Sequence, residues 1–345
     1  MKYVNVQTKE PYSVLIERGL LDSVGELLKS GLGTFRIALI SDSTVDRLYG
    51  DRVETSLRAA GHRVIRCPFE GGEENKTLAT VERLQMRLME SELTRSDLVV
   101  ALGGGITGDV AGFVAATYLR GIRCVQIPTT LLAALDSSVG GKTGVNLGGV
   151  KNQVGAFLQP SMVLCDPNVF STLTEEQYAD GMAEAIKYGV AFDRSLFEML
   201  YSDHDISEVI RRCVAIKGDV VAADEHDNGV RQLLNFGHTV GHAIEKITDH
   251  EFTHGQAVAV GMIIATRGAL RMGYCREDFL GDLIGCINYR GLPNAVVATD
   301  EELIGAMKND KKRRGDEITL ILPRRLGECH TEVIPYAELE RYFKQ

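Results

Sequence analysis

The chain has 345 residues, enough for two domains with separate cores. Its 38 Lys and Arg stand against 47 Asp and Glu, a formal charge of −9; this argues against a general nucleic-acid binder but leaves room for an anionic small molecule held by local cations. No apolar run reaches the roughly 20 residues needed to span a bilayer, no signal pattern opens the chain, and the seven cysteines form no CxxC, so the expectation is a cytoplasmic protein with buried, reduced thiols and no membrane partner.

The opening, MKYVNVQTKEPYSV, alternates like a strand. RIALIS (36–41) is a short β-rich run ending at Asp42, and HRVIRCPF (62–69) is another. A helical stretch follows at 77–91, then DLVVALGG (97–104), a helix beginning near Thr107, and IRCVQIPTT (122–130). Strands joined by helices of this length predict a parallel sheet covered on both faces, with ligands at the carboxyl ends of its strands. Asp42, Gly103–Gly105 and Thr129–Thr130 fall at such ends. The Gly-rich stretch 140–149 is expected to be a loop. From about Glu175 the text turns to long helical segments, including the apolar AVAVGMIIA (257–265), read as a buried helix; only 318–323 and 328–335 look like strands. The expected organisation is an α/β nucleotide-binding domain over 1–170, of Rossmann-like parallel-sheet type, and a mainly helical metal- and substrate-binding domain over 171–345.

Residues 103–108 match GxGxxG through Gly103, Gly105 and Gly108. Alone this is weak: the usual fingerprint follows the first strand and has an acidic residue about 20 positions later. Here the glycines follow a later strand and the strand-end acid, Asp42, precedes them, so the expectation is a nucleotide site of a different kind. His238 and His242 lie four apart, on one face of a helix, and could share a metal or divide metal binding and proton transfer between them. His254 follows a short loop later. Glu184 and Lys187, three apart, put a carboxylate and an ammonium on one face of an apolar helix, where an unpaired charge costs several kcal/mol. One Glu with two His is a ligand set for a catalytic Zn²⁺ that keeps an open position. Lys142, Lys151, Lys187, Lys217 and Arg231 sit in Gly-rich or apolar text, a set suited to a small substrate carrying carboxylate and phosphate.

Taken together, GEENK (72–76), GGGITGD (103–109), ATYLRG, IPTTLLAALDSSVGGKTGVN, KNQVGAFLQP, YADGMAEAIKYG, QLLNFGHTVGHAIE and NDKK, in this order and over nearly the whole chain, closely resemble the 3-dehydroquinate synthase family. The resemblance implies a nucleotide-binding domain followed by a helical domain with the active site between them, a homodimer, NAD⁺, and one divalent metal, Zn²⁺ or Co²⁺. It implies metal ligands Glu184, His238 and His254. It implies nucleotide contacts from Asp42, Ser43 and Thr44, from Glu73 and Lys76, from Gly104, Gly105, Ile106 and Asp109, from Thr129 and Thr130, from Lys142 and Lys151, and from Val169, Phe170, Ser171 and Thr172. Substrate-site positions would be Asp136, Lys142, Lys151, Asn152, Lys187, Lys217, Arg231, Asn235, His242 and Lys312, with Arg120 reaching the substrate phosphate across the dimer interface.

The implied reaction converts 3-deoxy-D-arabino-heptulosonate 7-phosphate to 3-dehydroquinate and phosphate. It proceeds through transient oxidation, phosphate elimination, reduction, ring opening and intramolecular aldol closure, with His242 a candidate for shuttling the alcohol proton. Three other readings stand beside it, one of them a non-catalytic NAD-binding regulator, which would have lost a metal ligand or a lysine where this chain keeps them. A metal- and NAD-dependent polyol dehydrogenase would need no cluster of anion-binding lysines. A sugar-phosphate cyclase acting on sedoheptulose 7-phosphate or glucose 6-phosphate would meet no carboxylate. The chain departs from the family pattern at Gln256, where Glu is usual, expected to tune the metal site from outside its ligands, and at Asp227, where some relatives carry Glu.

Overall fold

The computed structural model describes residues 1–227, 229–249, 251–308 and 317–343. Lys312 and the basic run 311–314 lie outside the described residues. The chain divides into two compact units, Met1–Leu173 with Ile206–His226, and Thr174–Asp205 with Asp227–Gln345. The helix Ile206–Ala223 therefore packs in the first unit, where a single cut near 170 assigns it to the second. Its contacts explain this: it lies against the first strand, and Glu208 accepts a 2.9 Å hydrogen bond from Lys2.

The strands of the first unit are β1 (Lys2–Val6), β2 (Tyr12–Ile16), β3 (Arg36–Asp42), β4 (Arg63–Phe69), β5 (Leu98–Gly103), β6 (Arg123–Pro128), β7 (Lys142–Leu147), β8 (Val150–Phe157) and β9 (Met162–Cys165). Seven of them form one sheet in the order β1-β2-β9-β6-β5-β3-β4. All its pairings are parallel except β1 with β2. Every residue of β5 is buried, as a central strand covered on both faces requires. Ile40, Ala101, Cys124 and Phe69 pack on one face against Leu84 and Leu88 of the helix Leu78–Glu90 and Val110 and Val114 of the helix Gly105–Thr117. Each such fully buried aliphatic or aromatic side chain contributes about 1.5–3 kcal/mol. The seven cysteines are free and buried, as expected.

From β3 the chain steps to β4 on one side, then crosses to β5 on the other. That reversal opens a crevice between the carboxyl ends of β3 and β5, the place where open parallel sheets bind ligands. The helix after β5 begins at Gly105, two residues before the expected start. The stretch 140–149 is not a loop but one arm and turn of a hairpin: β7 pairs antiparallel with β8, and Gly148 and Gly149, with φ 59° and 75°, make the tight turn that two left-handed residues allow.

The second unit is helical, with a two-stranded ribbon of β10 (Glu317–Arg325) and β11 (Glu328–Pro335). Its main helices, Glu175–Phe192, His238–Ile247 and His254–Arg271, match the helical text expected from the sequence, and 257–263 is buried throughout. Shorter helices lie at Arg194–Met199, Leu280–Tyr289, Asp300–Lys308 and Leu339–Phe343. No helix among the described residues is long and apolar enough to cross a membrane.

Candidate active site

Asp42, Gly103 and Thr129 fall at the carboxyl ends of β3, β5 and β6. Asp42 ends β3, and its Oδ1 accepts from the backbone N–H of Thr44 and Val45, which orders the Ser43–Val45 turn. Its Oδ2 accepts from Thr107 Oγ1 at 3.1 Å, tying β3 to the helix that follows β5. Thr129 donates its N–H to the Gly103 carbonyl at 2.9 Å. A Cβ at Gly104 would lie 3.0 Å from Thr130 Cγ2, and one at Gly105 3.1 Å from Ser137 Oγ, so bare backbone is what keeps this cradle open. Val169 and Thr172 sit in the 3-10 segment after β9, at the same edge of the sheet, and Tyr49 donates to the Val169 carbonyl at 3.0 Å.

Beside the crevice, Lys76 is buried, and its Nζ lies 2.5 Å from Asp109 Oδ2 and 2.6 Å from Asn152 Oδ1. Burial pushes the Asp109 carboxyl above its ordinary range, against the opposing pull of Lys76. Asp109, Lys142 and Asn152 line a cavity of about 450 Å³ floored by the β7–β8 hairpin. Lys142 and Lys151 are exposed, unlike Lys217, which is buried and donates to the Asp136 carboxylate and, at 2.9 Å, to the Asp136 carbonyl. Arg120 is exposed in a turn where it and Leu119 both hold left-handed backbone, φ 68° and 50°. Such strain costs on the order of 1 kcal/mol or more per residue and persists only where neighbours hold it; here Tyr118 Oη donates to the Leu93 carbonyl and Arg95 to the Leu119 carbonyl.

The second unit assembles Glu184, His238 and His254, whose ligand atoms lie within 4.8 Å of one another. Glu184 comes from the 175–192 helix, and the two histidines open the helices His238–Ile247 and His254–Arg271. Glycine makes that junction possible. Gly237, with φ 78°, is the left-handed residue before His238, and a Cβ there would lie 2.6 Å from Met262 Cγ. A Cβ at Gly241 would meet the Ala257 backbone at 3.2 Å, and one at Gly261 would strike the Gly237 carbonyl and lie 2.9 Å from Gly241 N. The two helices thus touch backbone to backbone, bringing His238 Nε2 and His254 Nε2 to 3.5 and 3.6 Å from Glu184 Oε1.

Charge and hydrogen bonding fit this group to a cation. Glu184 is buried, its Oε2 accepts from Lys187, and its Oε1 has no hydrogen-bond partner. His238 Nδ1 lies 3.1 Å from the Phe236 carbonyl, which can only accept, so Nε2 carries the lone pair that faces Glu184. Burial, with Lys187 nearby, holds His238 well below its ordinary pKa, as a neutral imidazole. At His254 burial acts in the same direction, but the nearby carboxylates of Glu184 and then Glu245 outweigh it and raise the ring to about 10. The two carboxylates, at 3.6 and 3.5 Å from the His254 ring nitrogens, thus favour positive charge at this place.

Glu245 is a further candidate that the sequence reading missed. It is buried, with Oε1 3.5 Å from His254 Nδ1, on the side of the ring away from Glu184. Its signal was the spacing His238, His242, Glu245, which places three polar groups on one helical face. His242 stands exposed on that face, its ring centroid 5.6 Å from that of His238. Arg231 is buried, and Asn235 borders a small apolar pocket beside Gly237 and Tyr342.

Gln256, expected to tune the metal site from outside its ligands, caps the helix that His254 opens. Its side chain closes a capping box: Oε1 accepts from Thr253 N–H at 3.1 Å, and Nε2 donates to Glu176 Oε1 at 3.1 Å. Glutamine suits this place because a carboxylate could cap the helix but not donate to Glu176. Asp227, the other departure, holds left-handed backbone at φ 59°.

Comparison with known proteins places this geometry in a family. The family model described as 3-dehydroquinate synthase N-terminal matches residues 66–180, and the one described as 3-dehydroquinate synthase C-terminal matches 181–313. A 3-dehydroquinate synthase of Streptococcus gordonii is 43% identical over 346 residues, covering 97% of each chain. Among solved structures, a 2-deoxy-scyllo-inosose synthase complexed with carbaglucose-6-phosphate, NAD⁺ and Co²⁺ superposes with a TM-score of 0.88 at 27% identity, covering 99% of this chain and 98% of that one. The 2-epi-5-epi-valiolone synthase of Streptomyces hygroscopicus, with NAD⁺ and Zn²⁺ bound, gives 0.86 at 27% identity, covering 96% and 95%. By its sequence over nearly full length, this chain belongs to the 3-dehydroquinate synthase family.

Proposed function

We propose that the protein acts as a 3-dehydroquinate synthase, a cytoplasmic homodimer that converts 3-deoxy-D-arabino-heptulosonate 7-phosphate to 3-dehydroquinate and inorganic phosphate. The observation that carries this reading is the converging Glu184–His238–His254 group in a chain related over nearly its whole length to 3-dehydroquinate synthases. Structural neighbours with NAD⁺ and Co²⁺ or Zn²⁺ bound support the same cofactors here. When bound, the divalent cation supplies Lewis-acid polarisation of a substrate oxygen, and NAD⁺ supplies a hydride acceptor that is regenerated in each turnover.

In this reading Glu184, His238 and His254 hold the cation, with Glu245 fixing the His254 ring from behind. The β3–β5 crevice, from Asp42 and the Gly104–Ile106 turn to Thr129, Thr130 and Val169–Thr172, holds the nucleotide, with Glu73, Lys76 and Asp109 beside it. Lys142, Lys151, Asn152, Lys187, Lys217, Arg231, Asn235 and Lys312 orient the carboxylate, hydroxyls and phosphate of the substrate, and Arg120 reaches the phosphate from the partner subunit. Asp136 keeps the Lys217 ammonium aimed. His242 holds and passes on the proton of the substrate alcohol. Cations outnumber bases because most of the work is orientation and charge stabilisation.

The test is phosphate release from this substrate with sub-stoichiometric NAD⁺ and added Zn²⁺ or Co²⁺, the product identified by NMR. The expected result is many turnovers per NAD⁺, ending in 3-dehydroquinate and abolished by chelator. No phosphate release, with cation and NAD⁺ shown to be bound, overturns the reading and favours sedoheptulose 7-phosphate or a simple polyol as substrate.

A further inference from the structure

The β7–β8 hairpin is irregular at one place. Its ladder pairs Val145 with Val154 and Leu147 with Val150, so Asn146 on one strand faces Lys151, Asn152 and Gln153 on the other. Within that bulge Asn152 is left-handed, with φ 54°. The Asn146 side chain fills the gap in the ladder, its Oδ1 accepting from the Asn152 backbone N–H at 2.9 Å. The other end of the same amide faces a different segment. Asn146 Nδ2 donates to Glu73 Oε1 at 2.9 Å and to the Glu73 carbonyl at 3.1 Å, and its backbone N–H donates to the Lys76 carbonyl at 2.8 Å. The ring of bonds closes through Lys76, whose Nζ donates to Asn152 Oδ1 at 2.6 Å.

We propose that Asn146 is a positioning residue that couples nucleotide binding at Glu73–Lys76 to the substrate-facing bulge at Lys151–Asn152. The proposal rests on the assignment of those two segments to nucleotide and substrate given above. The amide suits the task because it must donate at one end and accept at the other; a hydroxyl is too short to reach both, and a carboxylate can only accept. Asn is among the few non-glycine residues that adopt the left-handed conformation readily, and the bond from the Asn152 N–H to Asn146 fixes it there. When Glu73 and Lys76 are fixed by a nucleotide, Asn146 is fixed with them, and so is the bulge. The substrate then meets an ordered Asn152 and Lys151, and the two ligands bind more tightly together than apart.

The experiment measures the affinity of the metal-loaded protein for NAD⁺ and for a phosphonate analogue of the substrate that cannot eliminate phosphate, each alone and in the presence of the other. In the natural protein each ligand should tighten the other at least 5-fold. Asn146→Ala should bring that factor below about 2, with Co²⁺ affinity unchanged because the cation group lies in the other unit. Asn146→Asp keeps an acceptor for the Asn152 N–H but sets a carboxylate against Glu73. It should weaken NAD⁺ while leaving the analogue alone near its natural affinity, and it serves as the second variant should Asn146→Ala fail to fold. Undiminished coupling in either variant, or no coupling in the natural protein, overturns the proposal. Failure of NAD⁺ to bind the natural protein is a separate result, which removes the nucleotide assignment itself.

Discussion

The cation group depends on two helices touching through glycine, and Gly261→Ala tests that dependence. A Cβ at position 261 would strike the Gly237 carbonyl and lie 2.9 Å from Gly241 N, where ordinary contact begins at 3.4 Å. Both neighbours are backbone, so no side chain can swing aside; the helices His238–Ile247 and His254–Arg271 must part locally. Alanine gains about 1 kcal/mol of helix propensity over glycine. Overpacking against an unyielding wall costs about 1–3 kcal/mol or more. The expected balance is a net destabilisation of up to about 2 kcal/mol in urea. The larger effect falls on the metal. His238 is the first residue of the displaced helix, and ligand distances tolerate shifts of only about 0.2 Å. Co²⁺ affinity, measured against a competing chelator, should fall about 10- to 100-fold, the range seen when the support of a ligand is lost. The control is Gly281→Ala, at an exposed helical position with nothing within 4 Å of the new Cβ; its stability should be unchanged or raised by up to about 1 kcal/mol, with metal affinity unchanged. Natural Co²⁺ affinity and stability in Gly261→Ala would refute the claim that bare backbone sets the ligand geometry.

Three further outcomes follow from the same structure. Glu245→Gln keeps the size of the side chain but removes the charge facing His254 Nδ1, and chelator competition should show Co²⁺ binding about 10- to 100-fold weaker; an unchanged affinity would deny Glu245 any role in holding the ring. Gln256→Ala loses the bonds to Thr253 and Glu176 and should cost about 0.5–1.5 kcal/mol in urea unfolding with metal affinity intact, so a collapse of metal binding would return Gln256 to the metal group. The Glu208 carboxyl is lowered to about 2, first by hydrogen bonding to Arg211, then with help from Lys2. Because its folded pKa is depressed, its contribution is fully present above the ordinary value near 4.5 and is lost as pH falls toward 2. For a partly exposed pair that contribution is about 1 kcal/mol. Glu208→Gln should therefore be less stable by that amount at pH 7 and equal to the natural protein near pH 2; a difference constant with pH would assign it to packing.

Much of this could be read in the sequence because the residues concerned are constrained locally. A parallel sheet announces itself in apolar runs such as 98–102, which must be buried on both faces, and the residues closing those runs, Asp42, Gly103 and Thr129, fall at the carboxyl ends by necessity. A helix fixes which residues share a face, so Glu184 with Lys187 and His238 with His242 were legible as pairs from spacing alone. The identity of the chain was legible for another reason, the number and order of its motifs. What spacing could not supply was anything depending on approach across the fold. The helix Ile206–Ala223 reads as one more helix of the second half, and only its packing puts it in the first unit. The stretch 140–149 reads as a loop, because Gly148 and Gly149 signal a turn without saying that the flanking residues pair. Asn146 and Glu245 were passed over because a polar residue in such text is ordinary until its partners, 73 positions away for Asn146 and Glu73, are in view. The sequence by itself determined the elements, the residue types and the pairs within one helix, since these depend on neighbours along the chain; tertiary structure decided that Glu184, His238 and His254 converge, since that rests on glycines which let two backbones touch.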